Sequence, residues 1–228
     1  MVLVNGARLS PDPAGGLFWP DRKTLVVADL HFEKGTAYAA RGALLPPWDT
    51  RQTLARLGGL IDRHRPETVL CLGDSFHDCG APGRLGAEEI ALLAEMREGR
   101  RWVWIAGNHD PEPPAGLGGE VCDALRLGPL CFRHQPRAEA PAGEVAGHLH
   151  PKAAVTVKGR RLIRRCFATD GRRLVLPAFG AYAGGLDVLD PAFRPYFDGD
   201  FRAFMLGRDE VYPVASAKLV PISPSGES

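Results

Sequence analysis

No apolar run in this sequence approaches the ~20 residues that a membrane-spanning helix needs, so a bilayer is not its expected setting. The start, "MVLVNGARLS", has neither the charged opening nor the long apolar stretch of a secretory signal. Neither sign of charge is in excess: 28 Lys and Arg against 27 Asp and Glu leave a formal net charge of +1. No global basic field announces a nucleic-acid partner, and any anionic partner must be met by local charge. Cysteines at metal or redox spacing are missing too. The five present (Cys71, Cys79, Cys122, Cys131 and Cys166) are odd in number, scattered and never C-x-x-C. Cys71, inside "TVLCLGD", reads as a small buried hydrophobe. A reducing cytoplasm is therefore the expected location. No repeat and no interior linker is visible. Residues 1–228 read as one domain able to bury a full core, with 216–228 a flexible tail that ends in the loose "PISPSGES".

What is present is a series of short, β-rich apolar runs. They cover Thr24–Ala28, Thr68–Leu72, Trp102–Ala106, Leu130–His134, Glu144–Ala146, Ala153–Val157, Leu162–Ala168 and Leu174–Pro177. Two helices are expected. "WDTRQTLARLGGLIDRH" offers Asp49 or Thr50 as a cap and Leu54, Leu57, Leu60 and Ile61 at helical spacing. "AEEIALLAEMREG" has acids in its first turn, an apolar stripe and Gly99 as a stop. The first half alternates strand and helix and the second half is nearly all strand, which predicts a layered α/β domain with a mixed sheet core.

The polar residues that follow these strands form a pattern. "LVVADLH" ends in Asp29 and His31, "VLCLGDSFHD" in Gly73, Asp74, His77 and Asp78, and "VWIAGNHD" in Gly107, Asn108, His109 and Asp110. Further on, "LCFRH" ends in His134 and "EVAGHLH" in Gly147, His148 and His150. Ligands of open α/β sheets bind at the carboxyl ends of strands, so these residues are expected to share one crevice. The glycines before Asp74, Asn108 and His148 permit sharp turns and close backbone approach. Six of the seven histidines fall in these motifs; the other, His64, reads as solvated helix surface. A lone strand-terminal Asp is more often a turn former than a ligand, but five such ends together reverse that weighting. Mixed oxygen and imidazole donors suit manganese, iron or zinc better than magnesium or calcium, and there are too many of them for one ion.

In this order, D-x-H, G-D-x-x-H, G-N-H-D, a lone His and G-H-x-H resemble the calcineurin-like metallophosphoesterases, with all five motifs intact between about Leu25 and His150. The resemblance implies a four-layer α/β/β/α sandwich of two mixed β-sheets flanked by helices. It implies that Asp29, His31, Asp74 and His150 hold one metal. Asp74, Asn108, His134 and His148 would then hold the other, with Asp74 as the bridge. "VADLHFEKGTAYAARG", "LPPWDTRQTL", "LGDSFHD", "RHQP", "GHLHP", "RRCFATDGRRLVLPAFGAYAGGLDV" and "VYPV" narrow the likeness to the DNA ligase-associated metallophosphoesterases of bacteria, over about Val2 to Val214. That subgroup is encoded beside ATP-dependent DNA ligase and helicase genes. The G-D-x-F-H form is also similar to double-strand-break repair nucleases of the superfamily. The subgroup implies manganese-dependent phosphodiester cleavage of single-stranded DNA, as a repair endonuclease, with a ligase and a helicase as functional associates.

In such a site two ions clamp the phosphate and acidify a shared water. His109, next to the ligand Asn108, is then the expected proton donor to the leaving oxygen, with Asp110 fixing its tautomer. His77 is expected at the active site. Lys34 and Arg41, in a long segment without evident secondary structure between Leu30 and Pro47, could grip flanking phosphates or be plain surface charge. "KGRRLIRR" makes no single basic face on a strand, and Phe179 and Tyr182 are expected to pack rather than stack on bases. A phosphomonoesterase acting on a nucleotide or other small phosphate is the alternative, because the same metal core serves both chemistries. A non-catalytic scaffold, as in a retromer subunit of the same fold, is disfavoured by the intact ligand set.

Overall fold

The computed structural model describes residues 1–222 apart from 44, 47, 113, 114 and 198. Its first sheet begins with an antiparallel meander of β1 (Val2–Val4), β2 (Ala7–Pro11) and β3 (Leu17–Trp19), which leads into β4 (Thr24–Val27). From there the pairing is parallel, through β5 (Thr68–Leu72), β6 (Arg101–Ile105) and β7 (Glu120–Cys122), side by side in chain order. Parallel neighbours need long crossovers, and these carry the helices. Helices α1 (Lys34–Ala39) and α2 (Asp49–His64) lie between β4 and β5, and α3 (Ala87–Arg97) between β5 and β6.

The second sheet holds β8 (Ala124–Leu127), β9 (Leu130–Arg133), β10 (Glu144–Ala146), β11 (Lys152–Val157), β12 (Arg160–Thr169), β13 (Leu174–Val175), β14 (Arg202–Leu206) and β15 (Val211–Ala215). Its order is β15-β14-β12-β13-β10-β9-β8, with β11 paired to β12. β10 is parallel to both β9 and β13, while the other pairs are antiparallel.

Alternation along the central strands sorts side chains into layers. Val26, Leu70, Leu72, Val103 and Ile105 face the second sheet, where they meet Phe132, Val145, Phe167 and Leu176. Leu25, Val27, Val69, Trp102 and Trp104 face the helices and pack with Leu54, Leu57, Leu60, Ile61 and Leu93. Each large apolar side chain buried this way contributes about 1.5–3 kcal/mol, so β4 to β6 form a firm post for whatever follows them. The result is two mixed sheets with flanking helices, as expected. The outer face of the second sheet is covered more thinly, by β11 and by the 186–201 segment, whose Val188, Phe193 and Phe197 pack on Cys166, Val175 and Met205. No helix among the described residues is long and apolar enough to cross a membrane.

Several local expectations need correction. The segment after β4 is not featureless: α1 sits in it, held by Asp49 accepting from the Gly35 amide (3.0 Å) and by Thr50 bonding the Glu33 carboxylate (2.8 Å). Asp49 and Thr50 therefore do not cap α2, which has no side-chain cap. In α3 only Leu93 is buried, while Ile90 and Leu92 are exposed, so its apolar stripe is much narrower than its composition suggests. His64 is not solvated: its Nε2 lies 2.9 Å from the buried Asp12 carboxylate and its ring stacks on Phe18. Of the expected tail, Ser216–Lys218 form a 3-10 turn, Leu219 is buried and Val220 bridges to Ala154, because β11 leaves an edge for them to pair with. Residues 223–228 lie outside the described residues.

Candidate metal centre

All five motifs end strands on one side of the two sheets, and the backbone ties their loops together. The amides of Asp29 and His31 donate to the carbonyls of Gly73 (3.2 Å) and Asp74 (2.9 Å), and the Gly147 amide donates to the His134 carbonyl (2.9 Å). Side chains are held across motifs as well. Asp29 accepts from the His148 amide (3.0 Å) and Asp74 from the His109 amide (2.9 Å). Each carboxylate is thus aimed by the motif that comes to lie opposite it.

The conformation is strained. Asp29, His31, Asp74, His148 and His150 all have left-handed backbone, with φ between 46° and 68°. For residues with a Cβ that region costs roughly 1–2 kcal/mol each, and such strain concentrates where function requires a side chain to be turned inward. Gly107 permits the closest approach: a Cβ there would collide with the Asp74 backbone amide and with the carboxylates of Asp74 and Asp110. Its role is to clear space for the neighbouring motif.

Two groups of donors result, Asp29 with His31 and His150, and Asp74 with His134 and His148. Within each group one ligand atom per residue lies within 4.8 Å of the others. The groups adjoin, with His134 Nδ1 3.7 Å from Asp29 Oδ1. Asn108 joins the second group through its Oδ1, 2.8 Å from His134 Nε2.

The proton inventory shows whether a cation fits. His134 Nδ1 lies 2.9 Å from the Leu72 carbonyl, which can only accept, so Nδ1 carries the proton and Nε2 presents a lone pair. That lone pair faces Asn108 Oδ1 (2.8 Å), His148 Nδ1 (3.1 Å) and Asp74 Oδ1 (3.4 Å). The Asn108 and Asp74 oxygens can only accept, and acceptors facing a lone pair repel it unless a positive charge lies among them. In the first group, His31 Nδ1 and His150 Nε2 are buried without a hydrogen bond, and His150 Nε2 sits 3.2 Å from Asp29 Oδ1 without the alignment of one. Burial drives the His31 imidazole toward neutrality, to a pKa of about 3, and burial also lowers His148. Asp29 feels burial that would raise it, but His150, His134 and His31 outweigh this and its pKa is lowered. Metal binding displaces any proton these rings carry, leaving neutral imidazoles beside ionised carboxylates. The residues fit two divalent transition-metal ions.

His109 stands at the mouth, 44% exposed, with Nε2 4.0 Å from Asp74 Oδ2. Its tautomer is set by the His77 carbonyl, 3.0 Å from Nδ1, and its ring stacks on that of His77 at 5.5 Å. Asp110 does not perform the expected role. Its Oδ2 accepts from the amides of Ser75 (2.8 Å) and Phe76 (3.2 Å), so it braces the turn that carries Asp74 and His77. Burial raises the Asp110 pKa to about 6, with Asp74 adding to the rise.

His77 is half-buried beside Tyr38, and burial lowers its pKa, with Lys34, His109 and Arg41 contributing. Lys34 and Arg41 are therefore within electrostatic reach of the site, Lys34 itself lying over the Tyr38 ring. Phe179 is fully buried under Arg56 and offers no stacking face, while the Tyr182 hydroxyl donates to the Pro46 carbonyl. Sequence reasoning missed Arg133 and Arg137, although both flank His134 in "RHQPR". They line a groove that opens from Asn108 and His134.

The family model of the calcineurin-like phosphoesterases matches residues 22–167. None of the curated proteins matches significantly. Among solved structures, a nuclease MPE of Pseudomonas putida is similar at 32% identity, with a TM-score of 0.70, over 93% of this chain and 98% of its own. Yfce, a phosphoesterase from E. coli, is 16% identical, with a TM-score of 0.45, over 86% of this chain and 98% of its own.

Proposed function

The chain belongs to the calcineurin-like phosphoesterase family, and from that premise we propose that it is a binuclear-metal phosphodiesterase, a manganese-dependent endonuclease acting on single-stranded DNA. The observation that carries the reading is the meeting of two largely buried groups of Asp and His donor atoms beside a half-exposed histidine. The similarity to the Pseudomonas nuclease and the motif resemblance favour a diester over the monoester alternative. Iron and zinc suit the same donors. A functional association with a ligase and a helicase rests on the motif resemblance alone.

In this proposal Asp29, His31 and His150 would hold one ion and Asn108, His134 and His148 the other, with Asp74 as the carboxylate they would share. Two bound divalent cations would supply Lewis acidity, neutralising charge on the phosphate and making water acidic enough to attack. The chain's own residues do the rest. The amides of His148 and His109 keep the two carboxylates aimed, so no reorganisation is needed when charge develops. The His77 carbonyl holds the His109 Nδ1 proton, which leaves Nε2, near Asp74, as the atom that carries the mobile proton to the leaving oxygen. Lys34 and Arg41 hold flanking phosphates, and His77 forms the wall beside His109.

The test compares the manganese-loaded protein on a single-stranded oligonucleotide, bis-p-nitrophenyl phosphate and p-nitrophenyl phosphate. The proposal expects turnover of both diesters, with the monoester slower. Fast monoester turnover with neither diester cleaved would overturn it.

A further inference from the structure

A groove of about 500 Å³ leads away from the second donor group, with Asn108 and His134 at its inner end. Arg133 and Arg137 line it beyond His134, and Asp123 is the carboxylate among its lining residues. The two arginines are not equivalent. Glu144, buried beneath them, lies 3.4 Å from Arg133 Nε and 3.9 Å from Arg173 Nη1. It accepts only the backbone amide of Arg137 (3.1 Å). Glu144 feels both charges, but Arg133 is half-buried against it whereas Arg137 is an exposed residue with no side-chain ion pair to it. Its main chain is fixed on both sides: the amide is tied to Glu144, and the carbonyl accepts from Arg173 Nη1 (3.1 Å). An exposed cationic side chain on a pinned backbone is a good phosphate contact, because little order remains to be imposed on the loop. Apolar wall is present too, from Pro136 and Ala124, against which a sugar or base can rest.

Lys34 and Arg41 lie toward the first donor group, near His31 and His77. Cations therefore stand at both ends of the site. A terminal phosphate has only one substituent to bind, so it would leave one set unused; an internal phosphodiester has a chain leaving in each direction.

We propose that the Arg133–Arg137 groove is a polynucleotide subsite, taking the phosphate and nucleoside next to the scissile bond on the side of the second donor group, with Arg137 as the phosphate contact. The inference rests on the nuclease reading and adds the direction in which one arm of the strand leaves. It makes the preferred substrate a chain that continues on both sides of the cleaved bond.

The test uses the manganese-loaded protein and its Arg137→Glu and Arg137→Lys variants. Cleavage is measured on a single-stranded oligonucleotide and on bis-p-nitrophenyl phosphate, which has no second phosphate to offer Arg137. Arg137→Glu is expected to lower the oligonucleotide to aryl-diester ratio of kcat/KM by about tenfold, mostly through KM, with Arg137→Lys largely restoring it. The dependence of oligonucleotide binding on salt should weaken by about one contact. Equal losses on both substrates, or an unchanged oligonucleotide KM and salt slope in an enzyme that cleaves DNA, would overturn the groove assignment and leave the nuclease reading standing. A wild-type protein that turns over the aryl diester but neither binds nor cleaves oligonucleotides would overturn both.

Discussion

Asp74→Ala and His148→Ala are each expected to lower kcat/KM on any phosphoester by about 10³-fold or more while leaving the fold in place. Removing one preorganised electrostatic contact alone costs about 10²–10³-fold, and a missing ligand removes more than one contact. Without the Asp74 carboxylate the second group loses its one anionic donor and the His109 amide loses its acceptor at 2.9 Å. Without His148 the second group keeps a single imidazole. Neither side chain belongs to the apolar clusters, so circular dichroism and the thermal midpoint should stay close to wild type. Near-normal turnover in either variant would remove these residues from the reaction.

His109→Ala is expected to separate two substrates that the metal ligands cannot. A general acid matters in proportion to how badly the leaving oxygen needs a proton. The alkoxide of a DNA sugar needs one, whereas a nitrophenolate departs without it. The variant should therefore cleave DNA more slowly by ~10²–10⁴-fold and be affected far less on bis-p-nitrophenyl phosphate. Its side chain is exposed and touches the site through Nε2 at 4.0 Å from Asp74, so metal content should remain two ions per chain. Equal losses on both substrates would make His109 a phosphate-positioning residue. Loss of an ion would make it a ligand.

How much of this was readable in advance depended on how local the determinants were. β5 and β10 match their predicted bounds, and β4, β6 and β9 lie within a residue of theirs, because each is a short run of buried apolar residues ending at a polar motif. The motif residues could then be placed together by topology alone. β1, β3 and β7 are only three residues long, too short for a period to show. α1 contains Gly35, Thr36 and Tyr38 and owes its position to Asp49 and Thr50, partners that its own sequence does not announce. The same holds for His64, whose acceptor Asp12 lies 52 residues away. Asp110 was misassigned because adjacency in sequence suggested His109, while the turn at Gly107 sends its carboxylate to the Ser75 and Phe76 amides. The left-handed backbone at five of the donors is only weakly signalled, since Asp and His are among the non-glycine residues that tolerate it but most of them do not adopt it.

The central claim is that the two donor groups hold two ions that share Asp74, and diffraction from crystals grown at saturating manganese, with anomalous data collected at the manganese edge, tests it most directly. The account predicts two peaks ~3.5–4 Å apart. One should be bounded by Asp29, His31 and His150 and the other by Asn108, His134 and His148, with a carboxylate oxygen of Asp74 on each. A single peak, or two peaks with Asp74 bound to neither, would contradict it.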